Sequence, residues 1–129
     1  MIIPKKSLGQ NFLIDKNIIK KITNKIKIEN ENIIEIGPGF GNLTDYILLR
    51  KPKNLILIEK DIVLFEYLKN KYKDQKIIQI INTDVLQYNF SKFKKIKIIS
   101  NLPYNISSKI IMKLIFYNKN ISNILFMIQ

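Results

Sequence analysis

Three glycines, Gly37, Gly39 and Gly41, stand in Glu35-Ile-Gly-Pro-Gly-Phe-Gly-Asn-Leu-Thr44, between a β-branched run and a helical stretch. Glycines there let the backbone turn tightly and approach a ligand, and the first turn of the following helix offers free N–H groups to a negative charge. The spacing is G-x-G-x-G, not the G-x-G-x-x-G of dinucleotide folds, and no Lys-Ser/Thr follows as a P-loop would require. A small zwitterion such as the methionine end of S-adenosylmethionine suits this loop. A strand–helix turn that needs glycine for geometry alone is the other reading.

Glu59 closes the next apolar run, 22 residues beyond Gly37. An acid at the tip of a second strand can accept from both hydroxyls of a ribose. Asp84, in Asn-Thr-Asp-Val-Leu, follows a third run. It can accept from the amine of an adenine, or equally serve as an Asx-turn or helix cap. Asn101-Leu-Pro-Tyr104 follows a fourth run. If that strand neighbours the first, the tetrapeptide faces the glycine loop across the crevice where open sheets bind ligands. The Asn101 side-chain oxygen and a backbone carbonyl can each accept one hydrogen of an amino group, with Tyr104 stacked on the ring that bears it. A turn with one core aromatic is the plainer alternative.

These residues need elements to hold them. Asp15 can cap a helix running to about Ile28, with Ile18, Ile19, Ile22 and Ile26 on one face. Strands are expected over Asn32–Gly37, Asn54–Glu59, Lys76–Asn82, Ile96–Ser100 and Ile124–Ile128. Helices are expected over Asn42–Arg50, from Asp61 to about Lys71, with Ile62, Leu64, Phe65 and Leu68 on its inner face, and over Ile106–Tyr117. Near-continuous Ile/Leu strands alternating with helices indicate an α/β fold, a doubly wound parallel sheet covered on both faces. Residues 1–28 form a basic leader and helix, and 29–129 one ligand-binding domain.

Composition narrows the chemistry further. Isoleucine, lysine and asparagine fill half of the 129 residues, the signature of A- and T-rich codons, and Cys and His are absent. Without them there is no thiolate or imidazole catalysis, no disulfide and no zinc site of the usual kind; no metal is expected. No apolar run reaches the ~20 residues of a membrane span, so no membrane partner is expected either. The net charge of +12 favours a polyanionic partner. Residues 1–28, with seven Lys against Asp15, are a candidate arm for a nucleic-acid backbone.

Taken together, Lys6-Ser-Leu-Gly-Gln-Asn-Phe-Leu13, the Glu35–Thr44 loop, Glu59, Asp84 and Asn101-Leu-Pro-Tyr-Asn-Ile-Ser107 resemble the small-subunit ribosomal RNA adenine dimethyltransferases. The resemblance spans about residue 5 to Gln129. It implies a Rossmann-like class I methyltransferase fold and S-adenosylmethionine as cofactor. Asn11, Leu13, Gly37 and Gly39 would lie around the methionine end, Glu59 on the ribose and Asp84 on the adenine. Asn101 would sit between cofactor and target base, with Pro103 and Tyr104 completing the base pocket. The implied reaction is dimethylation of the N6 amines of two adjacent adenosines near the 3′ end of small-subunit rRNA, on a precursor of the small ribosomal subunit. The cytoplasm, or an organelle with an AT-rich genome, is the expected location.

Two departures qualify the match. Lys109 stands where the family usually has Pro, at a helix start. Family members also continue past this point, with further strands, an aromatic over the target base and a helical RNA-gripping domain. The chain is therefore expected to be truncated after its fifth strand and to need the remainder for catalysis. Two other readings are a large-subunit rRNA adenine methyltransferase of the macrolide-resistance type, whose pocket is commonly Asn-Ile-Pro-Tyr, and a non-catalytic RNA-binding ribosome-assembly factor.

Overall fold

The computed structural model describes residues 16–128. Five strands form one parallel sheet: β1 (Asn32–Ile36), β2 (Asn54–Glu59), β3 (Ile78–Asn82), β4 (Ile96–Leu102) and β5 (Ile121–Ile128). Four helices accompany them: α1 (Lys16–Thr23), α2 (Asn42–Leu49), α3 (Ile62–Lys71) and α4 (Tyr104–Ile115). The spatial order is β3-β2-β1-β4-β5. The chain thus winds outward from β1 to β3, crosses back, and continues from β4 on the other side of β1. The fold is α/β and doubly wound, as the strand composition implied.

Successive side chains on β1 point to opposite faces. Ile33 joins a core with Ile19, Leu43, Ile47 and Leu68 from α1–α3, while Ile34 and Ile36 join one with Phe90, Ile110 and Leu114. Because both faces are covered, the central strands tolerate unbroken isoleucine runs.

Several boundaries differ from the expectation. The first helix ends at Thr23, whose hydroxyl donates to the Lys20 carbonyl at 3.1 Å, and the chain then turns, with Ile26 and Ile28 still buried. Ile19 faces the core from the helix as its spacing suggests, whereas Ile26 reaches the core from beyond the helix end; Asp15 as a cap lies outside the described residues. α3 turns Leu64 and Leu68 inward, while Ile62, in the first turn after the cap, is exposed. β3 begins two residues late because a turn closes from the Ile78 amide to the Gln75 carbonyl.

β4 continues through Asn101 and Leu102, which pair with Met127 and Ile128. Asn101 therefore lies in the strand rather than after it. β5 begins at Ile121, opposite Ile96, with a bulge between Ile96 and Lys97. α4 starts at Tyr104, two residues earlier than periodicity suggests, with extended Pro103 as its N-cap. It closes at Ile115, where the next amides fall back to i→i−3 bonds on Lys113, Leu114 and Ile115.

Candidate functional site

The strand order reverses between β1 and β4, which pair directly, Ile36 opposite Ser100. Two loops diverge above that point, and a cleft opens between them at the carboxyl ends of the strands. Its lining includes Gly37, Pro38 and Gly39 after β1, Glu59–Asp61 from the tip of β2 onward, Thr83–Leu86 after β3, Asn101–Pro103 at the end of β4, and Ile106 of α4.

The glycine loop leaves β1 with Gly37 at φ 67° and passes through Gly39 at φ 61° and Gly41 at φ 88°. All three lie in the left-handed region that L side chains rarely enter. The Gly37 amide donates to the Ile58 carbonyl at 2.9 Å, so the loop stays tied to β2 as it turns. A Cβ on Gly37 would meet nothing within 4 Å. Its backbone borders open space, as an approach site for a ligand requires.

Glu59 is buried at the tip of β2. One carboxylate oxygen accepts the Gly39 amide at 3.1 Å and the other the Asp61 amide at 2.9 Å. The acid thus braces the glycine loop, and each oxygen keeps a lone pair for a further donor. Burial raises its pKa, against the lowering effect of those amides. Asp84 lines the cleft and also caps the 3₁₀ turn Val85–Gln87, accepting from the Leu86 amide at 2.9 Å. Lys60 stands 3.4 Å from its other oxygen. The cap and the ligand-facing position coexist in one residue.

On the opposite wall, the Ser100 hydroxyl donates to the Ile36 carbonyl at 2.5 Å and fastens the ends of β4 and β1. Asn101 and Pro103 follow directly and line the cleft. Tyr104 does not; it opens α4 with its ring about three-quarters exposed. Such a ring is open to contact from solvent, not from within the cleft. Asn11 and Leu13 lie outside the described residues. The structure thus brings Gly37, Gly39, Glu59, Asp84, Asn101 and Pro103 to one cleft and leaves Tyr104 outside its lining.

Glu35 lines the cleft without having been singled out from the sequence. It is fully buried, receives the Thr44 hydroxyl at 2.5 Å, and burial pushes its pKa up to about 8. An acid inside an isoleucine strand was the available signal. Asp61, whose side chain caps α3 by accepting from the Val63 and Leu64 amides at 2.8 and 3.1 Å, was legible as the acid opening a helix. Among the described residues, no group of three or more His, Cys, Asp or Glu could hold a metal ion.

The family model for ribosomal RNA adenine dimethylase matches residues 3–129. The chain belongs to this family. It is 49% identical over 128 residues to a ribosomal RNA small subunit methyltransferase A of Malacoplasma penetrans, covering 96% of this chain and 45% of that protein. With the protein of the same name from Pelagibacter ubique it shares 50% over 111 residues, 84% of this chain and 42% of that one. The chain thus spans about half the length of the curated relatives it matches.

Solved structures agree on the architecture. The 23S rRNA methyltransferase ErmE superposes with a TM-score of 0.82 at 25% identity, covering 92% of this chain and 48% of that one. A dimethyladenosine transferase from Plasmodium falciparum superposes with a TM-score of 0.76 at 31% identity, covering 92% and 43%. The fold is that of the Rossmann-like class I methyltransferases. The chemistry of the cleft fits S-adenosylmethionine: a glycine cradle open to the ligand, a buried carboxylate with spare lone pairs, a second acid, and apolar Ile58, Val85 and Leu86 for a ring.

Proposed function

We propose that this chain is the cofactor-binding and base-positioning part of an S-adenosylmethionine-dependent enzyme that dimethylates the N6 amines of two adjacent adenosines near the 3′ end of small-subunit rRNA. Its substrate would be a small-subunit precursor, met in the cytoplasm. The observation that carries the reading is the convergence of Glu59, Asp84, Asn101 and Pro103 on one cleft at the β1/β4 crossover. The choice of small-subunit RNA rests on relatives of that name at 49% and 50% identity.

When bound, S-adenosylmethionine supplies a methyl group on a sulfonium, already activated for transfer. Glu59, fixed by two backbone amides, would accept from the ribose hydroxyls, and Asp84 would accept from the adenine amine. Gly37 and Gly39 would admit the methionine end, and by family resemblance Asn11 and Leu13 would help to hold it. The lone pair of the target N6 is delocalised into its ring and is a poor nucleophile. The Asn101 side-chain oxygen and the Pro103 carbonyl would accept the two amine hydrogens in the first transfer, and one of them the single hydrogen left in the second, localising that pair. Tyr104, exposed at the rim, stacks on an adenine drawn out of its helix. Positioning and oriented dipoles carry the rate, with no imidazole or thiol required.

The test is paired titration and transfer with Asn101→Ala, made in the protein at its native length. The expected result is loss of methyl transfer with cofactor affinity held within about tenfold. Wild-type turnover in that variant would remove Asn101 from the reaction. A second reading, methylation of large-subunit rRNA, draws on the ErmE superposition. The sequence Asn-Leu-Pro-Tyr-Asn-Ile-Ser favours the small subunit.

A further inference from the structure

The glycine loop is held from behind as well as lined in front. Tyr72, immediately after α3, is buried, and its hydroxyl lies 2.6 Å from Asp45 Oδ1 and 3.1 Å from the Gly41 carbonyl. A phenol has one hydrogen, so the carboxylate takes the stronger share and the carbonyl the weaker. Lys71 Nζ donates to the Phe40 carbonyl at 2.9 Å and to Asp45 Oδ2 at 3.0 Å. Asp45 thereby joins both donors, and its own amide donates to the Gly41 carbonyl at 2.9 Å.

Two consecutive loop carbonyls are therefore drawn toward the end of α3. None of Phe40, Gly41, Asp45, Lys71 or Tyr72 lines the cleft. The contacts also account for glycine at 41. A Cβ there would stand 2.3 Å from the Tyr72 oxygen and 3.1 Å from Lys71 Nζ, besides requiring φ 88°.

We propose that Tyr72 and Lys71, bridged by Asp45, are positioning residues that hold the glycine loop in the conformation the cofactor binds. The inference rests on the reading of the cleft as the S-adenosylmethionine site. These side chains act through the loop backbone: they fix the peptide planes of Phe40 and Gly41, and with them the start of α2, before any ligand arrives. Preorganisation of this kind lowers the ordering cost of binding and leaves the chemical step alone.

The experiment compares wild type, Tyr72→Phe and Lys71→Met in the protein at its native length. Each is titrated with S-adenosylhomocysteine by calorimetry, then assayed for the cofactor KM and kcat. Tyr72→Phe keeps the ring and its packing, and Lys71→Met keeps most of the stem, so one variant serves if the other fails to fold. The expected result is a Kd raised about fivefold in each, less than the full worth of one charge-assisted hydrogen bond because the side chains act on the ligand only through the loop, with the KM raised in parallel and kcat held. Unchanged Kd in folded variants, with only the melting temperature lowered, would overturn the inference while leaving the cofactor site standing. Failure of the wild type to bind would overturn both.

Discussion

Glu35 puts a carboxyl where water does not reach, and the consequence is measurable in solution. Its pKa rises from the usual 4.5 to about 8, first through burial and further through Glu59 and Asp45, although the Thr44 hydrogen bond opposes this. A carboxyl whose pKa is raised by folding stabilises the folded state fully below its unfolded pKa, and that contribution is lost as pH climbs through the folded value. Stability should therefore decline between about pH 4.5 and 8 from this group, with Glu59 adding in the same direction. Denaturant titrations at pH 5 and pH 8 should show a smaller difference for Glu35→Gln than for wild type. Equal differences would mean that Glu35 is ionised in the folded protein. The same residue marks what one-dimensional reading misses. Glu59 was legible because its place at a strand tip carries a chemical meaning, whereas Glu35 read only as the first letter of a glycine motif.

Elements convert those residues into a site, chiefly through their ends. β4 and β1 are fastened by Ser100 at their carboxyl ends, one residue before Asn101. α3 is started by Asp61, whose backbone amide also supports Glu59. Asp61→Ala should cost about 1 kcal/mol from the lost cap, read as a lower denaturation midpoint. A cost near zero would mean that the helix start is fixed by its packing alone.

The elements themselves were largely legible. Strands buried on both faces announce themselves as isoleucine runs, and Gly-Pro-Gly stops β1 in plain view. Their ends were less so: nothing in Ser100-Asn-Leu102 reveals that pairing with β5 continues through it. The clamp of Asp45, Lys71 and Tyr72 was not legible at all, because it joins residues 26 to 31 positions apart through the packing of α3 beside the glycine loop.

At the scale of the molecule, 22 basic residues against 10 acidic ones give a surface suited to a phosphate backbone. Binding to small-subunit RNA should weaken steeply as salt rises, whereas S-adenosylhomocysteine binding, proposed to rest on the buried Glu59 and the glycine loop, should change little. Equal salt dependence of the two affinities would contradict this division between surface and cleft. The parallel order β3-β2-β1-β4-β5 gathers Gly37, Gly39, Glu59 and Asp84 on one side of the crossover and Asn101 and Pro103 on the other, so the residues proposed for the cofactor and for the base share a single cleft. The most direct test is to supply the protein, at its native length, with S-adenosylmethionine and separately with unmethylated small-subunit precursors and large-subunit RNA, then map the methylated nucleotides by mass spectrometry. The account predicts N6,N6-dimethylation of two adjacent adenosines near the 3′ end of the small-subunit RNA and none on the large-subunit RNA. Methylation confined to a large-subunit adenosine, or none on either RNA, would contradict it.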